Sequence, residues 1–362
     1  MIEWKSVFNP WRKSFKATAY APRILILRGG ALGDFILTLP AIRALRRNWP
    51  SATIELIGHP GLGELALTAG LINRVRSLDA SGMAQWFVPH RVWSERERAD
   101  IVSFDLILSY LSDADGVVQA NLRAAGAKRV MACSPVVVSG LSAPTVLRHS
   151  ASRRRERLRQ AGHATDYFLH PVTGLGISEP MSDEPLLAWP EALREQGRHW
   201  LKELGLTGNV ISLHPGSGSS RKNWPIEQFA LLADSVRRSM SAQPLFILGE
   251  ADTAAARALL RLAPSVPVLT NRTLKEVASV LAVSRGYVGN DSGITHLAAV
   301  LGIPVVALFG PTDAAVWGPR GAKVVILQGR MSTWEALAAI EPVAVLQALE
   351  NLIAECGLRN AE

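Results

Sequence analysis

The chain has 362 residues, a length that predicts two domains at about 100–200 residues each. Apolar residues make up 48% and charged residues 19%, an ordinary globular balance with enough apolar side chains for two cores. The two cysteines, Cys133 and Cys356, are far apart and lack metal-ligand spacing. They argue against a disulfide framework or a zinc ribbon and fit a reducing cytoplasm. No apolar run approaches the ~18 residues that cross a bilayer, and the N-terminus does not read as a secretory signal.

The net charge of +8 is concentrated in two segments. Residues 1–22 form a predicted basic arm, in which tryptophans and phenylalanines alternate with lysines and arginines. Residues 148–159 hold six arginines and one glutamate. Clustered cations attract phosphates, so both segments predict contact with an anionic surface. Packing against the body is the alternative for the arm, and a solvated helix face is the alternative for the arginine run.

From Arg23 onward, short apolar runs alternate with helical stretches. This alternation predicts an α/β domain with a parallel sheet and helices on both faces. Strands are predicted at 23–27, 53–58, 106–109 and 129–132, and helices at about 35–48, 61–69 and 115–125.

Residues 171–190, rich in Pro, Gly and Ser, are the predicted linker to a second series of the same kind. Its strands are predicted at 210–213, 245–248, 287–289, 305–309 and 324–327, and its helices at about 225–239, 252–262, 274–283, 293–301 and 342–354.

The chain is therefore divided into four parts: the arm at 1–22, a Rossmann-like domain at 23–180, a second one at 181–341 and a C-terminal segment at 342–362. We expect the last helix to pack back on the first domain. Two doubly wound domains joined by a linker face each other across a cleft. Such sheets bind ligands beyond the carboxyl ends of their strands.

The first chemistry-bearing segment is the turn RGGALGD, which follows the first strand and contains Gly33 and Asp34. Its glycines allow positive φ and close backbone approach. Their spacing matches neither the dinucleotide fingerprint nor the P-loop, which disfavours a dehydrogenase. Asp34 is then either the cap of the following helix or a general base directed into the cleft.

The second segment is HPGSGSSRKNWP, at 214–225. Backbone N–H groups and the hydroxyls of Ser217, Ser219 and Ser220 can donate to a diphosphate, and Lys222 supplies a point charge. The alternative is a surface loop in which the basic residues are incidental.

The third segment is GNDSGITH, at 289–296, where a strand ends and a helix begins. Asp291 or Ser292 can cap the helix. The N–H groups of Ser292, Gly293 and Ile294 then form an anion site, and Gly293 leaves room for a phosphate. His296, one turn further on, either faces the cleft or packs.

Three weaker signals complete the set. Glu250 stands at a strand end, where it either binds ribose hydroxyls or has no role. Residues 310–313 follow another strand and read as a turn. Asp113 and Asp115 form a D-x-D pattern before a predicted helix, where aspartates commonly cap and turn, so a metal site is not expected there.

Together these segments resemble glycosyltransferase family 9, the ADP-heptose:lipopolysaccharide heptosyltransferases. The likeness spans about residues 23–353 and rests on three segments and on their order: RGGALGDFILTLPAIRALRRNWP, HPGSGSSRKNWPIEQFALLAD and NDSGITHLAAVLGIPVVALFGPTD. The resemblance implies a GT-B fold with the active site between the two domains.

The resemblance also implies residue roles. Asp34 matches the family's base, and Lys222 matches a lysine that contacts donor phosphate. The motif that lines the diphosphate and sugar is matched by Asp291, Ser292, Gly293 and His296. Glu250 falls where the family has a nucleotide-contacting acid. Arg272 falls in the adenine-side loop, where an apolar residue is expected.

We therefore predict a metal-independent, inverting transferase that moves a heptose or related sugar. The donor is an ADP-sugar acting as co-substrate, with no cofactor. The acceptor is a lipopolysaccharide-core-type or other anionic glycan. We expect a cytoplasmic protein with peripheral contact at the inner membrane and no nucleic-acid partner. Two alternatives stay open: a sugar-nucleotide epimerase, which needs no acceptor, and a non-catalytic nucleotide-sugar-binding protein, which binds the donor without turnover.

Overall fold

The structure is a computed structural model and describes residues 21–79, 82–133, 162–180, 184–329 and 333–359. The arm up to residue 20 and the arginine run at 148–159 lie outside these ranges, so their proposed membrane contact stays a prediction. Among the described residues, no helix is long and apolar enough to span a membrane.

The first domain is built on a five-stranded parallel sheet of order β3-β2-β1-β4-β5. Its central strand is fully buried from Ile24 to Leu27, as expected for a parallel strand covered by helices on both faces. The strands are β1 (Arg23–Arg28), β2 (Thr53–Gly58), β3 (Arg74–Ser77), β4 (Leu106–Ser109) and β5 (Val130–Ala132). The α-helices are α1 (Leu32–Asn48), α2 (Pro60–Thr68), α3 (Glu95–Ser103), α4 (Val117–Ala124) and α5 (Ala164–Thr173).

The second domain is built on a six-stranded parallel sheet of order β11-β10-β9-β6-β7-β8. Its strands are β6 (Val210–His214), β7 (Gln243–Ile247), β8 (Val268–Leu269), β9 (Gly286–Asn290), β10 (Val305–Phe309) and β11 (Val324–Gln328). Its α-helices are α6 (Glu191–Glu203), α7 (Ile226–Ser239), α8 (Thr253–Leu262), α9 (Leu274–Leu281), α10 (Gly293–Val300), α11 (Ala314–Trp317), α12 (Trp334–Ala338) and α13 (Pro342–Arg359). The two-domain α/β prediction is confirmed.

The C-terminal helix differs from its prediction. Instead of packing on the first domain, α13 lies on the second sheet and on α7. Val345 and Leu349 are fully buried in one apolar cluster with Val306 and Leu308 of β10. These side chains cover a sheet face that would otherwise be exposed, which fixes the helix to its own domain.

The two domains touch through helices rather than through their sheets. Helix α1 packs against α5 and against α10 of the second domain. Ion pairs between described residues also join the domains, among them Arg320 Nη1 with Asp166 Oδ1 at 2.6 Å, Lys275 Nζ with Glu64 Oε1 at 2.5 Å and Arg47 Nη2 with Glu184 Oε2 at 3.0 Å. The beginnings of α1 and α10 are therefore brought together at the domain boundary.

Candidate active site between the domains

Both sheets reverse their strand order next to the candidate residues. The first reverses between β1 and β4, and the second between β9 and β6. Loops that leave neighbouring strands in opposite directions open a crevice at such a point, and ligands of doubly wound sheets bind there. Asp34 follows β1, Lys222 follows β6 and Asp291 follows β9. The topology therefore places all three at reversal points.

The starts of α1 and α10 are in direct contact. A Cβ added at Gly293 would stand 2.7 Å from Leu32 Cβ and 3.0 Å from Gly33 N. Only glycine allows this approach, because any side chain would collide with the other domain. The sequence predicted that Gly293 leaves room for a phosphate, whereas the structure fills that space with the turn of the first domain.

Asp34 lies in the first turn of α1, and the residue in the capping position is Ala31, which makes no side-chain cap. The alternative that Asp34 caps the helix is therefore wrong. Its backbone carbonyl accepts hydrogen bonds from Arg28 Nη2 at 2.7 Å and from Thr38 Oγ1 at 2.9 Å. Its carboxylate is half-buried at the domain boundary.

The Arg28 side chain holds this turn in place from inside the first domain. The side chain is buried, and its Nη1 donates to Tyr110 O at 3.2 Å, beyond the end of β4. Its guanidinium also stacks over the Phe168 ring, 4.8 Å from the centroid. Gly30 completes the turn with φ +93°, a conformation that L side chains rarely adopt.

Lys222 and Asp291 form an ion pair across the second domain. Lys222 Nζ lies 2.6 Å from Asp291 Oδ2, and the two side chains are 33% and 9% exposed. The cation is therefore held in place before a ligand arrives, with part of its surface free to meet one. The sequence predicted both residues as site residues but not their pairing, because 69 positions separate them.

The three serines of the lysine-bearing loop are not equivalent. Ser217 is engaged within the loop, since its Oγ lies 2.6 Å from Asn223 Oδ1 and accepts from Ser219 N at 3.2 Å. Ser219 and Ser220 are exposed. Ser217 therefore shapes the loop, and the other two present hydroxyls to solvent.

Helix α10 begins on a buried hydroxyl network. Ser292 is its cap, with Thr295 N donating to Ser292 Oγ at 3.3 Å. Thr295 Oγ1 lies 2.9 Å from Tyr287 OH and donates to Asn290 O at 2.5 Å. The first-turn N–H groups of Gly293 and Ile294 point out of the helix end, where the dipole favours an anion.

His296 links the two helix starts. It is 5% exposed, and burial lowers its pKa to about 4, so the imidazole is neutral near pH 7. Asp291 and Asp34 raise this pKa and His163 and Lys222 lower it, but burial has the largest effect. Its Cδ2 would be 3.6 Å from a Cβ on Gly33. The imidazole also lines a cavity of about 160 Å³ with walls from both domains.

Three further residues singled out in the sequence have other surroundings. Glu250 is exposed at the start of a short 3-10 turn. Arg272 stacks over the Trp200 ring at 5.2 Å. Asp113 accepts hydrogen bonds from the N–H groups of Val118 and Gln119, both at 3.1 Å, so it ties down the start of α4. In the ranges that the structure covers, no group of three or more His, Cys, Asp or Glu residues has metal-site geometry.

Sequence reasoning missed two polar side chains that shape the site, Arg28 and Asn290. Asn290 is fully buried at the end of β9 and bonds to the backbone of the lysine-bearing loop. Both residues lie inside the quoted motifs, and an arginine or asparagine at a strand end was the available signal. Their partners include Trp224, 66 positions from Asn290, and Tyr110, 82 positions from Arg28, and no local pattern reveals such contacts.

Two Rossmann-like domains with strand-end loops facing each other across a cleft define the GT-B class of glycosyltransferases. The model of glycosyltransferase family 9 (heptosyltransferase) matches residues 163–339. Lipopolysaccharide heptosyltransferase 1 of Pseudomonas aeruginosa is 26% identical over 315 residues, covering 84% of this chain and 83% of the relative. The chain is therefore a glycosyltransferase that is similar to family 9.

Solved structures agree on the fold. A family 9 glycosyltransferase from Veillonella parvula superposes with a TM-score of 0.73 at 22% identity, covering 92% of this chain and 98% of the other. The Escherichia coli heptosyltransferase WaaC with ADP superposes with a TM-score of 0.63 at 19% identity, covering 91% of this chain and 99% of the other. The predicted resemblance to family 9 and the predicted GT-B fold are confirmed.

Proposed function

We propose that this enzyme transfers a heptose from an ADP-activated donor to an anionic glycolipid of the lipopolysaccharide type. One observation carries the proposal: two helix starts touch, one bearing Asp34 and the other lying beside the Lys222–Asp291 ion pair. The relatives support the choice of sugar and nucleotide, since the Pseudomonas aeruginosa protein is named a lipopolysaccharide heptosyltransferase and the Escherichia coli WaaC structure holds ADP.

The proposed reaction is a single displacement. The Asp34 carboxylate accepts the proton of an acceptor hydroxyl while that oxygen attacks the anomeric carbon of the donor. The bond from the anomeric carbon to the diphosphate oxygen breaks in the same step, and ADP leaves. Attack opposite to the leaving group inverts the anomeric configuration.

The leaving diphosphate gains negative charge, which needs fixed positive partners. Lys222 supplies one, already oriented by Asp291, and the N–H groups at the start of α10 supply others. Charges and dipoles fixed before the reaction stabilise a transition state without reorganising. We propose that they act without a metal ion. His296, whose pKa is lowered by burial, contributes hydrogen bonding there and no charge.

Binding measurements and product analysis test the proposal. We expect ADP to raise the melting temperature selectively over UDP and GDP, with equal shifts in magnesium and in EDTA, because a ligand of the folded state stabilises it. With ADP-heptose and a lipid A–core acceptor, NMR of the product should show the anomer opposite to that of the donor. A selective shift with UDP or GDP would replace the donor, retention would overturn the single displacement, and loss of turnover in EDTA would overturn metal independence.

The acceptor also sets a location. An anionic glycolipid on the cytoplasmic membrane face would present negative charge to the basic arm and to the arginine run. We expect a variant that lacks residues 1–20 to bind anionic liposomes more weakly than the full chain in co-sedimentation. Equal binding by the two proteins would remove the arm from the proposal.

A further inference from the structure

One buried side chain holds both ends of the loop that carries Lys222. We call residues 215–224 the lysine loop. Asn290 Nδ2 donates to Pro215 O at 2.8 Å, and Asn290 Oδ1 accepts from Trp224 N at 3.0 Å. Strands β6 and β9 are neighbours, with His214 opposite Gly289, so the sheet register itself brings Asn290 to the base of the loop.

Asn290 and the loop ends that it holds are fixed by buried contacts. Asn290 is fully buried, and its own carbonyl accepts from Thr295 Oγ1 at 2.5 Å. At the far end of the loop, Trp224 is 1% exposed, and its Nε1 donates to Ile340 O at 2.9 Å. The two ends of the lysine loop are therefore fixed to the core of the second domain.

Between its two ends the lysine loop is supported by Ser217 within the loop and by Trp334, whose Nε1 donates to Asn223 O at 3.1 Å, while its outermost residues lie at the surface. Gly218, Ser219 and Ser220 are exposed, and a Cβ at Gly218 would meet no atom within 4 Å. The ammonium group of Lys222 pairs with Asp291, the residue directly after Asn290. Two consecutive residues at the end of β9 thus hold the backbone of the lysine loop and its charge.

We propose that Asn290 is a positioning residue for the leaving diphosphate. By fixing Pro215 and Trp224 relative to Asp291, it keeps Lys222 where the diphosphate binds, so the ordering of the loop is complete before the ligand arrives. This inference rests on the proposed donor site. An amide meets this requirement at any pH, since one side chain must donate to one carbonyl and accept from one N–H. Aspartate lacks the donor, and leucine lacks both groups.

The first domain offers a matched control. Asn121 is 3% exposed, and its Nδ2 donates to Trp86 O at 2.9 Å and to Val88 O at 2.7 Å. Its Oδ1 accepts from Arg91 N at 3.2 Å. It is an equally buried asparagine that fixes a different loop, with no part in the proposed donor site.

The test compares ADP affinity by calorimetry in the full chain and in four variants, with thermal unfolding recorded for each. The variants are Asn290→Ala, Asn121→Ala, Lys222→Met and the Asn290→Ala/Lys222→Met double variant. We expect Asn290→Ala to weaken ADP binding about tenfold and to leave the KM of the acceptor unchanged. Asn121→Ala should lower the melting temperature without weakening ADP binding. In the Lys222→Met background, Asn290→Ala should have little further effect, because residues that act through one another are non-additive.

Three results would overturn the inference: unchanged ADP affinity in Asn290→Ala, an equal loss in Asn121→Ala, or full additivity with Lys222→Met. If Asn290→Ala does not fold, Asn290→Asp replaces it. A protonated aspartic acid can donate to Pro215 O and an ionised one cannot, so ADP affinity relative to the wild type should rise as pH falls. A flat ratio would count against the role. If the wild type prefers another nucleoside diphosphate, the choice of ADP fails, and the same comparison is made with that nucleotide. If it binds none, both proposals fail.

Discussion

The two helix starts at the domain boundary share a strand–turn–helix connection and differ in where the carboxylate lies. In each, a buried parallel strand is followed by a short turn that opens a helix, and a glycine lies in the turn before α1 and at the first position of α10. At α1 the capping residue makes no side-chain bond, and a carboxylate, Asp34, sits inside the first turn. At α10 the cap is made by Ser292, and the carboxylate of Asp291 stands outside the helix, paired with Lys222.

The difference shows how one supersecondary unit can serve two chemical roles. A carboxylate inside the first turn presents an anion to the cleft, which suits a base. A capped helix whose neighbouring carboxylate is already neutralised presents N–H groups and a cation, which suits a leaving diphosphate. The Gly33–Gly293 contact would bring the two proposed roles within reach of one substrate.

Removing the carboxylate of α1 should have the largest effect. We expect Asp34→Asn to lower kcat about 10²–10⁴-fold, the usual contribution of a general base, and to leave ADP affinity unchanged. The isosteric amide keeps the packing of the turn, whose anchoring bonds go to the Asp34 backbone. Steady-state kinetics and ADP calorimetry check this, with Asp234→Asn on the surface of α7 as the control. Near-normal turnover would mean that another group is the base.

Removing Lys222, the cation beside the start of α10, should weaken nucleotide binding. We expect Lys222→Ala to weaken ADP binding about 10–100-fold, the range for losing a charged hydrogen bond. The neighbouring Arg221, exposed in the same loop, provides the control variant Arg221→Ala. Lys222→Met/Asp291→Asn removes the pair without leaving a buried carboxylate unpaired. It should lose as much ADP affinity as Lys222→Ala and less stability. Unchanged ADP affinity in both variants would mean that Lys222 does not bind the phosphate.

Forcing the two helix starts apart should have a smaller, mixed effect. We expect Gly293→Ala to cost about 1–3 kcal/mol of unfolding free energy, because the new methyl collides with Leu32 and Gly33. Both kcat and KM should change, because Asp34 and the start of α10 are then displaced relative to each other. Gly61→Ala is the control, since Gly61 lies in α2 with no atom within 4 Å of the new methyl, and there alanine favours the helix. Wild-type stability and kinetics in Gly293→Ala would show that the domains do not rely on this contact.

The sequence predicted most of the architecture because buried parallel strands are continuous apolar runs. It missed β3, whose four residues include two arginines, and β8, which has two residues, because neither carries a periodic signal. It misjudged the beginning of α1, since Ala31 offers no capping side chain. The motifs singled out Asp34, Lys222 and Asp291, but pairing across 69 positions and contact between domains are properties of the fold.

The imidazole of His296, which lies between the two helix starts, makes the stability of the protein depend on pH. His296 has a pKa of about 4 in the folded protein because it is buried, against about 6.5 in an unfolded chain. Between these values the unfolded chain binds a proton that the folded protein does not, so stability falls as pH is lowered. Burial also lowers the pKa of His163 and His214, which adds to the same slope.

We expect the free energy of unfolding to decrease by about 1–2 kcal/mol between pH 6.5 and pH 5 through His296 alone. Urea titrations across this range should therefore show a shallower pH dependence in His296→Gln than in the wild type. His199→Gln is the control, since that side chain is 68% exposed, and its slope should match the wild type. Parallel slopes in all three proteins would mean that His296 meets solvent in the folded state, and that the two helix starts do not enclose it.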